Sequence, residues 1–174
     1  LAQNPKGRHI WPGLFTSRIG APAKSYAPEE VLQQIKVTRA RPGATGHVHF
    51  SMAAIMENRQ GIGDQLRAVH YTAPALVPAT PWLGNSAPGT PTVRATRAPG
   101  GVKLKLGAGR ANAQYAIWSR HGNEWKFAVV PAMATDYLVA DDARSGQASA
   151  VFVSAVDRLG NEGKRISVLN AAAK

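Results

Sequence analysis

The 174-residue chain contains no cysteine. That excludes disulfide staples and thiolate metal sites, and is only mildly compatible with an oxidising compartment. Aromatic residues are sparse, at 7%, and only 18% of residues are charged. No stretch approaches the roughly 20 consecutive apolar residues of a membrane helix. Acidic residues are the scarcest functional group, ten Asp and Glu against 21 Lys and Arg, for a net charge of +11. Chemistry that needs several carboxylates in one place therefore has few to draw on.

The basic excess is spread evenly, with nine Lys and Arg against four Asp and Glu in residues 1–84 and twelve against six in 85–174. Nucleic-acid-binding proteins gather their basic residues on one patch, often among stacking aromatics. Here the longest basic run is Lys164-Arg165, and nucleic acid is not an expected partner. The charge reads as a basic surface, or as attraction to an anionic polymer such as a polysaccharide.

What is present falls into two parts. The first holds one strand–helix–strand unit, with strands over His9–Phe15 and Gly46–Met52. Between them Pro28-Glu29-Glu30 opens a helix: proline suits the first turn, and the two carboxylates face the positive end of the dipole. Val31, Leu32 and Ile35 supply its apolar stripe, and Pro42-Gly43 stops it. A second helix is expected over about 63–72, with Leu66 and Val69 turned inward. Residues 74–83 carry too many prolines for regular structure and read as an extended strap lying against protein. A parallel strand pair normally belongs to a larger sheet covered on both faces. With Leu1 in place of an initiator Met, the sequence reads as the end of a larger protein.

Residues 84–91, rich in Gly, Pro and Ser, mark a boundary. Beyond it the hydrophobic period becomes two. Val102, Leu104 and Leu106 alternate with lysines, and Tyr115, Ile117 and Ser119 alternate with Ala116, Trp118 and Arg120. About seven short strands at this spacing predict a β-sandwich.

Few residues suggest chemistry. Glu29, Glu30 and Asp64 sit at helix starts, where they complement the dipole. Glu57 alone follows a strand, and it has no visible partner for the carboxyl pair that glycoside hydrolysis requires. His47 and His49 share one side of a strand but lack the third and fourth ligands of a zinc site, so packing or hydrogen bonding is their expected role. No metal and no cofactor is expected. Ligands of parallel α/β folds bind at the carboxyl ends of strands. On that ground Trp11, Arg18 and Ser51 are the candidate substrate-binding residues, with core packing the alternative for Trp11 and Phe15. Trp118 and Trp125 are assigned to core and cross-strand packing rather than to a carbohydrate platform.

The run Trp11-Pro12-Gly13-Leu14-Phe15-Thr16-Ser17-Arg18-Ile19 resembles the seventh barrel strand of the bacterial glycosyl-hydrolase-like proteins of family ten. Glu30–Ile35 with Arg39 is similar to the following helix, Gly46–Ser51 to the eighth strand, and Pro74–Pro78 with Pro81-Trp82 to the closing strap. Ser154–Gly163 resembles the last hairpin of a fibronectin type III module. The resemblance implies the end of a (β/α)₈ barrel that hydrolyses cell-wall glycan in the envelope, followed by a β-sandwich. The expected organisation is α/β plus all-β: a partial barrel over 1–84, a linker over 85–90 and a fibronectin type III-like sandwich over 91–174. The resemblance carries over no catalytic residue, because six barrel strands and their carboxylates lie outside this sequence. It implies an extracytoplasmic location and a glycan partner. The rival reading is a non-enzymatic module that binds carbohydrate or protein. Open strand edges in the first part imply pairing with another copy or with further protein.

Overall fold

The structure is a computed structural model that describes residues 3–107 and 112–170. The chain divides into two compact units, residues 1–72 and 73–174.

In the first unit, β1 (Gly13–Leu14) and β2 (Val48–His49) pair in parallel, with Gly13 opposite Val48 and Leu14 opposite His49. Val48 N donates to the Pro12 carbonyl and Phe50 N to the Leu14 carbonyl, at 3.0 and 2.8 Å. These strands are much shorter than the expected segments. Pro12 has no N–H to continue the ladder, and among the described residues no third strand joins the sheet to extend it.

Helix α1 (Pro28–Arg39) lies between the strands, as its sequence signals require. Val31 and Ile35, one turn apart on the same face, are fully buried. They pack with Leu14, Ile19, Ile62 and Leu66 into a small core. After β2 the chain forms α2 (Ala53–Met56) and α3 (Ile62–Val69). A Cβ on Gly63 would lie 2.9 Å from the Ile55 carbonyl, so glycine permits the close approach of α3 to α2. The inward face of α3 is Ile62 and Leu66. Val69, expected inside, is 59% exposed: it is the last residue of α3 and lies beyond the core that holds Ile62 and Leu66. Among the described residues no helix is long and apolar enough to cross a membrane.

The second unit is a β-sandwich. One sheet has the order β3 (Val93–Ala98), β4 (Gly101–Leu106), β7 (Asp136–Ala140). The other has the order β6 (Glu124–Pro131), β5 (Gln114–His121), β8 (Ala148–Val156), β9 (Ile166–Asn170). Three strands against four in this arrangement are consistent with a fibronectin type III-like module. β4 and β5 carry the alternation read from the sequence, and seven strands in all match the expected number.

One core joins the two sheets: Val102, Leu104 and Leu106 from β4 and Val139 from β7 meet Tyr115, Ile117, Val130, Val151 and Val153. The fully buried Tyr115 donates its hydroxyl proton to the Gly107 carbonyl, which satisfies the one polar atom it brings inside. On the outer face Lys103 and Lys105 both reach Asp136, at 3.7 and 3.4 Å.

The proline-rich strap belongs to this second unit and not, as expected, to the first. Thr80 donates its backbone N–H and its hydroxyl to the Leu159 carbonyl, at 2.8 and 3.1 Å. Asn161 donates its side-chain amide to the Gly84 carbonyl and to Asp157. Gly160 has φ +79°, and a Cβ there would lie 2.7 Å from the Val77 carbonyl. The turn Asp157–Asn161 is thus a clamp for the strap, and the division between units falls at residue 72, before the expected linker at 85–90.

The core makes a quantitative expectation. Leu104→Ala should destabilise the sandwich by about 2–5 kcal/mol, measured by urea unfolding. Leu138→Ala, on a 48% exposed position of β7, should change it by less than about 0.5 kcal/mol. Equal effects at the two positions would contradict the assigned inward face.

Candidate functional site

The three candidate residues of the first unit do not converge. Trp11 precedes β1, and its indole N–H donates to Thr45 Oγ1 at 2.9 Å. His9 stacks on its ring at 5.7 Å. Thr45 and Gly46 precede β2, so Trp11 stands at the amino-terminal ends of both strands. Arg18 and Ser51 follow the strands and stand at the carboxyl ends. All three were expected at the carboxyl ends of the strands; Trp11 lies at the other end because β1 begins only at Gly13.

The carboxyl-end rim is aromatic and cationic. Phe15 and Phe50 lie 5.7 Å apart, and the Arg18 guanidinium sits 5.2 Å over the Phe15 ring. Arg18 Nη1 donates to the Ala23 carbonyl at 3.0 Å, and Ser17 donates its N–H and its hydroxyl to the Phe50 carbonyl. Phe15 and Phe50 are 43% and 64% exposed.

Behind this rim His47 and His49 face the same side, as the alternation of a strand requires, and converge on a residue that sequence reasoning missed. The Tyr71 hydroxyl lies 2.7 Å from His47 Nε2 and 2.6 Å from His49 Nε2. Tyr71 directly follows α3 and His70, and only the fold brings it to β2.

The protons of this chain can be placed. Thr16 donates its hydroxyl proton to the Leu14 carbonyl at 3.3 Å, so it accepts from His49 Nδ1 at 2.8 Å. His49 Nε2 is then an acceptor and takes the Tyr71 hydroxyl proton. The phenol oxygen in turn accepts from His47 Nε2, leaving His47 Nδ1 buried without a hydrogen-bond partner. Both imidazoles are neutral in this scheme. Burial, then the neighbouring His47, pushes His49 down to about 4. Burial, then Arg39 and His70, lowers His47. Burial raises Tyr71 against the opposing effect of Arg39, whose guanidinium lies 5.9 Å over its ring. Among the described residues no group of three or more His, Asp and Glu could hold a metal ion.

No protein-family profile matches the chain. A protein of Bacillus subtilis (strain 168), the glycosyl hydrolase YngK, is 31% identical over 147 residues. The match takes in 79% of this chain and 29% of that protein. Its length exceeds that of either unit, so the likeness includes residues of both. The chain spans less than a third of this curated relative. Among solved structures, a fibronectin type III domain of human collagen XX covers 53% of this chain and 99% of its own, with 16% identity and a TM-score of 0.35. The sandwich described above rests on its own strand order and core. The chain is similar to part of a glycosyl hydrolase.

Glycoside hydrolysis most often uses two carboxyls flanking the scissile bond. In the first unit each carboxylate serves its own helix or turn. Glu57 is paired with Arg59 at 2.6 Å. Asp64 accepts from Asn58 and from Arg67, and Glu30 from Gln34. Glu29 lies in the first turn of α1. None stands on the rim formed by Phe15, Arg18 and Phe50.

The histidine chain sets a pH dependence. Between the ordinary histidine value of 6.5 and about 4, the unfolded chain binds a proton that folded His49 does not. Stability contributed here is complete above 6.5 and falls as pH drops through that window. In an NMR titration the His49 Cε1–H resonance should move at about pH 4, and Tyr71→Phe, which removes the donor to Nε2, should shift that titration upward. A His49 titrating at or above 6.5 would contradict the proton placement.

Proposed function

We propose that this chain is part of a glycoside hydrolase that acts on bacterial cell-wall glycan outside the cytoplasm, and that alone it does not catalyse hydrolysis. The observation that carries the reading is the 31% identity to a glycosyl hydrolase over a length that includes residues of both units. In this reading the parallel pair with its connecting helix is a segment of a (β/α)₈ barrel. The carboxyl ends of β1 and β2 then lie on the face where barrel enzymes bind substrate. Arg18 and Ser51 line the sugar cleft there, with Phe15 and Phe50 offering ring faces to the pyranose C–H groups. Trp11, at the opposite ends of the strands, supports the fold of that segment.

Exposed apolar groups support the same view. Val48, Phe50, Met52 and Met56 are 49–81% exposed within one short stretch, the kind of surface that other protein covers. The catalytic carboxyls come from elsewhere in the enzyme, since Glu29, Glu30, Glu57 and Asp64 of the first unit serve their own helices and turns. The rival, a purely binding module, draws on the basic charge and the intact sandwich.

Two measurements separate these readings. The 174-residue chain should release no reducing ends from peptidoglycan stripped of its peptides, while the complete source protein should release them. Release by the chain alone that is abolished by Glu57→Gln would overturn the assignment of incomplete chemistry. Failure of the complete protein to cleave any cell-wall glycan would overturn the hydrolase reading and favour the binding module.

A further inference from the structure

The outer face of the four-stranded sheet carries a groove that the hydrolase reading does not use. It is lined by Trp118, Trp125, Phe152 and Arg165 and encloses about 380 Å³, within the roughly 300–1,000 Å³ typical of small-ligand sites. Trp118 on β5 faces Phe152 on β8 across the ladder, and Trp125 on β6 is two residues further along, opposite Arg120. The sequence assigned both tryptophans to core and cross-strand packing. The cross-strand contacts are present, Trp118 with Phe127 and Trp125 with Phe152, but neither ring is in the core: Trp118 and Arg120 alternate with the inward Ile117, Ser119 and His121, and Trp125 is 55% exposed.

We infer that this groove is a binding site for an acidic glycan, a pyranose bearing a carboxylate. The ring arrangement selects the sugar. Trp125 and Phe152, both lining the groove, lie 5.9 Å apart at 45°. Tilted aromatic faces cradle the C–H groups of a puckered ring, which the negative π-faces attract. A track for nucleobases instead presents successive stacking platforms along a basic groove that follows the backbone.

Arg165 selects the carboxylate. Its guanidinium lies 3.8 Å over the Trp118 ring. Glu162 accepts from its Nε at 2.7 Å and its Nη2 at 3.2 Å, and Ser154 in turn donates to Glu162. The planar fork is therefore held in one orientation with two of its five N–H groups used. The remaining edge has the geometry for a ligand carboxylate. The twelve basic against six acidic residues of 85–174 favour an anion over a neutral sugar.

The test uses the whole chain and two tetrasaccharides: one alternating N-acetylglucosamine with glucuronic acid, the other N-acetylglucosamine alone. Tryptophan fluorescence and NMR should report saturable binding of the acidic tetramer, with shifts at Trp118 and Trp125. Trp125→Ala, at an exposed position, should keep the native NMR spectrum and weaken binding about tenfold. Arg165→Gln should reduce affinity for the acidic tetramer to that of the neutral one.

Equal binding of both tetramers by the unaltered chain would overturn the inference. So would binding indifferent to Trp125→Ala, tighter Trp125-dependent binding of a single-stranded oligothymidine, or a concentration-dependent dimer that Trp125→Ala dissociates. The readout is binding by the sandwich, so it stands or falls apart from the cleavage assays above.

Discussion

The two-residue alternation of the β-strands governs the second unit. Once Val102, Leu104, Tyr115, Ile117, Val151 and Val153 are committed to the core between the sheets, every intervening residue is forced outward. Lys103 and Lys105 can then share Asp136, and Trp118 and Phe152 are placed side by side on the far face. A one-residue slip in β5 would bury Trp118 and Arg120 and expel Tyr115 and Ile117. The same packing that stabilises the sandwich therefore fixes the aromatic groove.

The first unit obeys a different limit. Its core is Leu14, Ile19, Val31, Ile35, Ile62 and Leu66, too little to cover both faces of even a two-strand sheet. The helices bury Leu14, while Val48 and Phe50, alternating with His47 and His49, remain exposed. Hydrogen bonding takes over part of what packing does elsewhere. The chain Leu14–Thr16–His49–Tyr71–His47 joins β1, β2 and the end of α3 through polar atoms. Its cost is protonation sensitivity, because a doubly protonated His49 has no lone pair left to accept from Tyr71.

What the sequence revealed depended on whether a signal was local. The start of α1 was readable because Pro28, Glu29 and Glu30 act within one turn, and β4 and β5 were readable from their own alternation. The extent of β1 and β2 was not, since a strand's length is set by its neighbours. The strap was assigned to the wrong unit because nothing in its prolines says which surface it meets. That surface is set by Asn161 and Leu159, some 77–79 residues away. Tyr71 was missed for the same reason. Trp118 is a mixed case: its cross-strand contact was expected and is present with Phe127, while its alternation with Ile117 already pointed it away from the core.

Scarcity of carboxylates ties the functional readings together. Asp136 neutralises two lysines, Asp142 pairs with Lys126 and caps the turn at Arg144 and Ser145, and Asp157 organises the clamp on the strap. Glu162 orients Arg165, and Glu57 and Asp64 pair with arginines in their own elements. Each of these acids already has a structural partner, and releasing one for acid–base work would leave a cation or a turn unsupported. Cations, by contrast, are in excess, and those beside aromatic rings, Arg18 on Phe15 and Arg165 on Trp118, are suited to holding an anionic sugar rather than to cleaving it. In the reading proposed above, such a chain contributes grip, and the enzyme that includes it draws its proton-transfer groups from other strands.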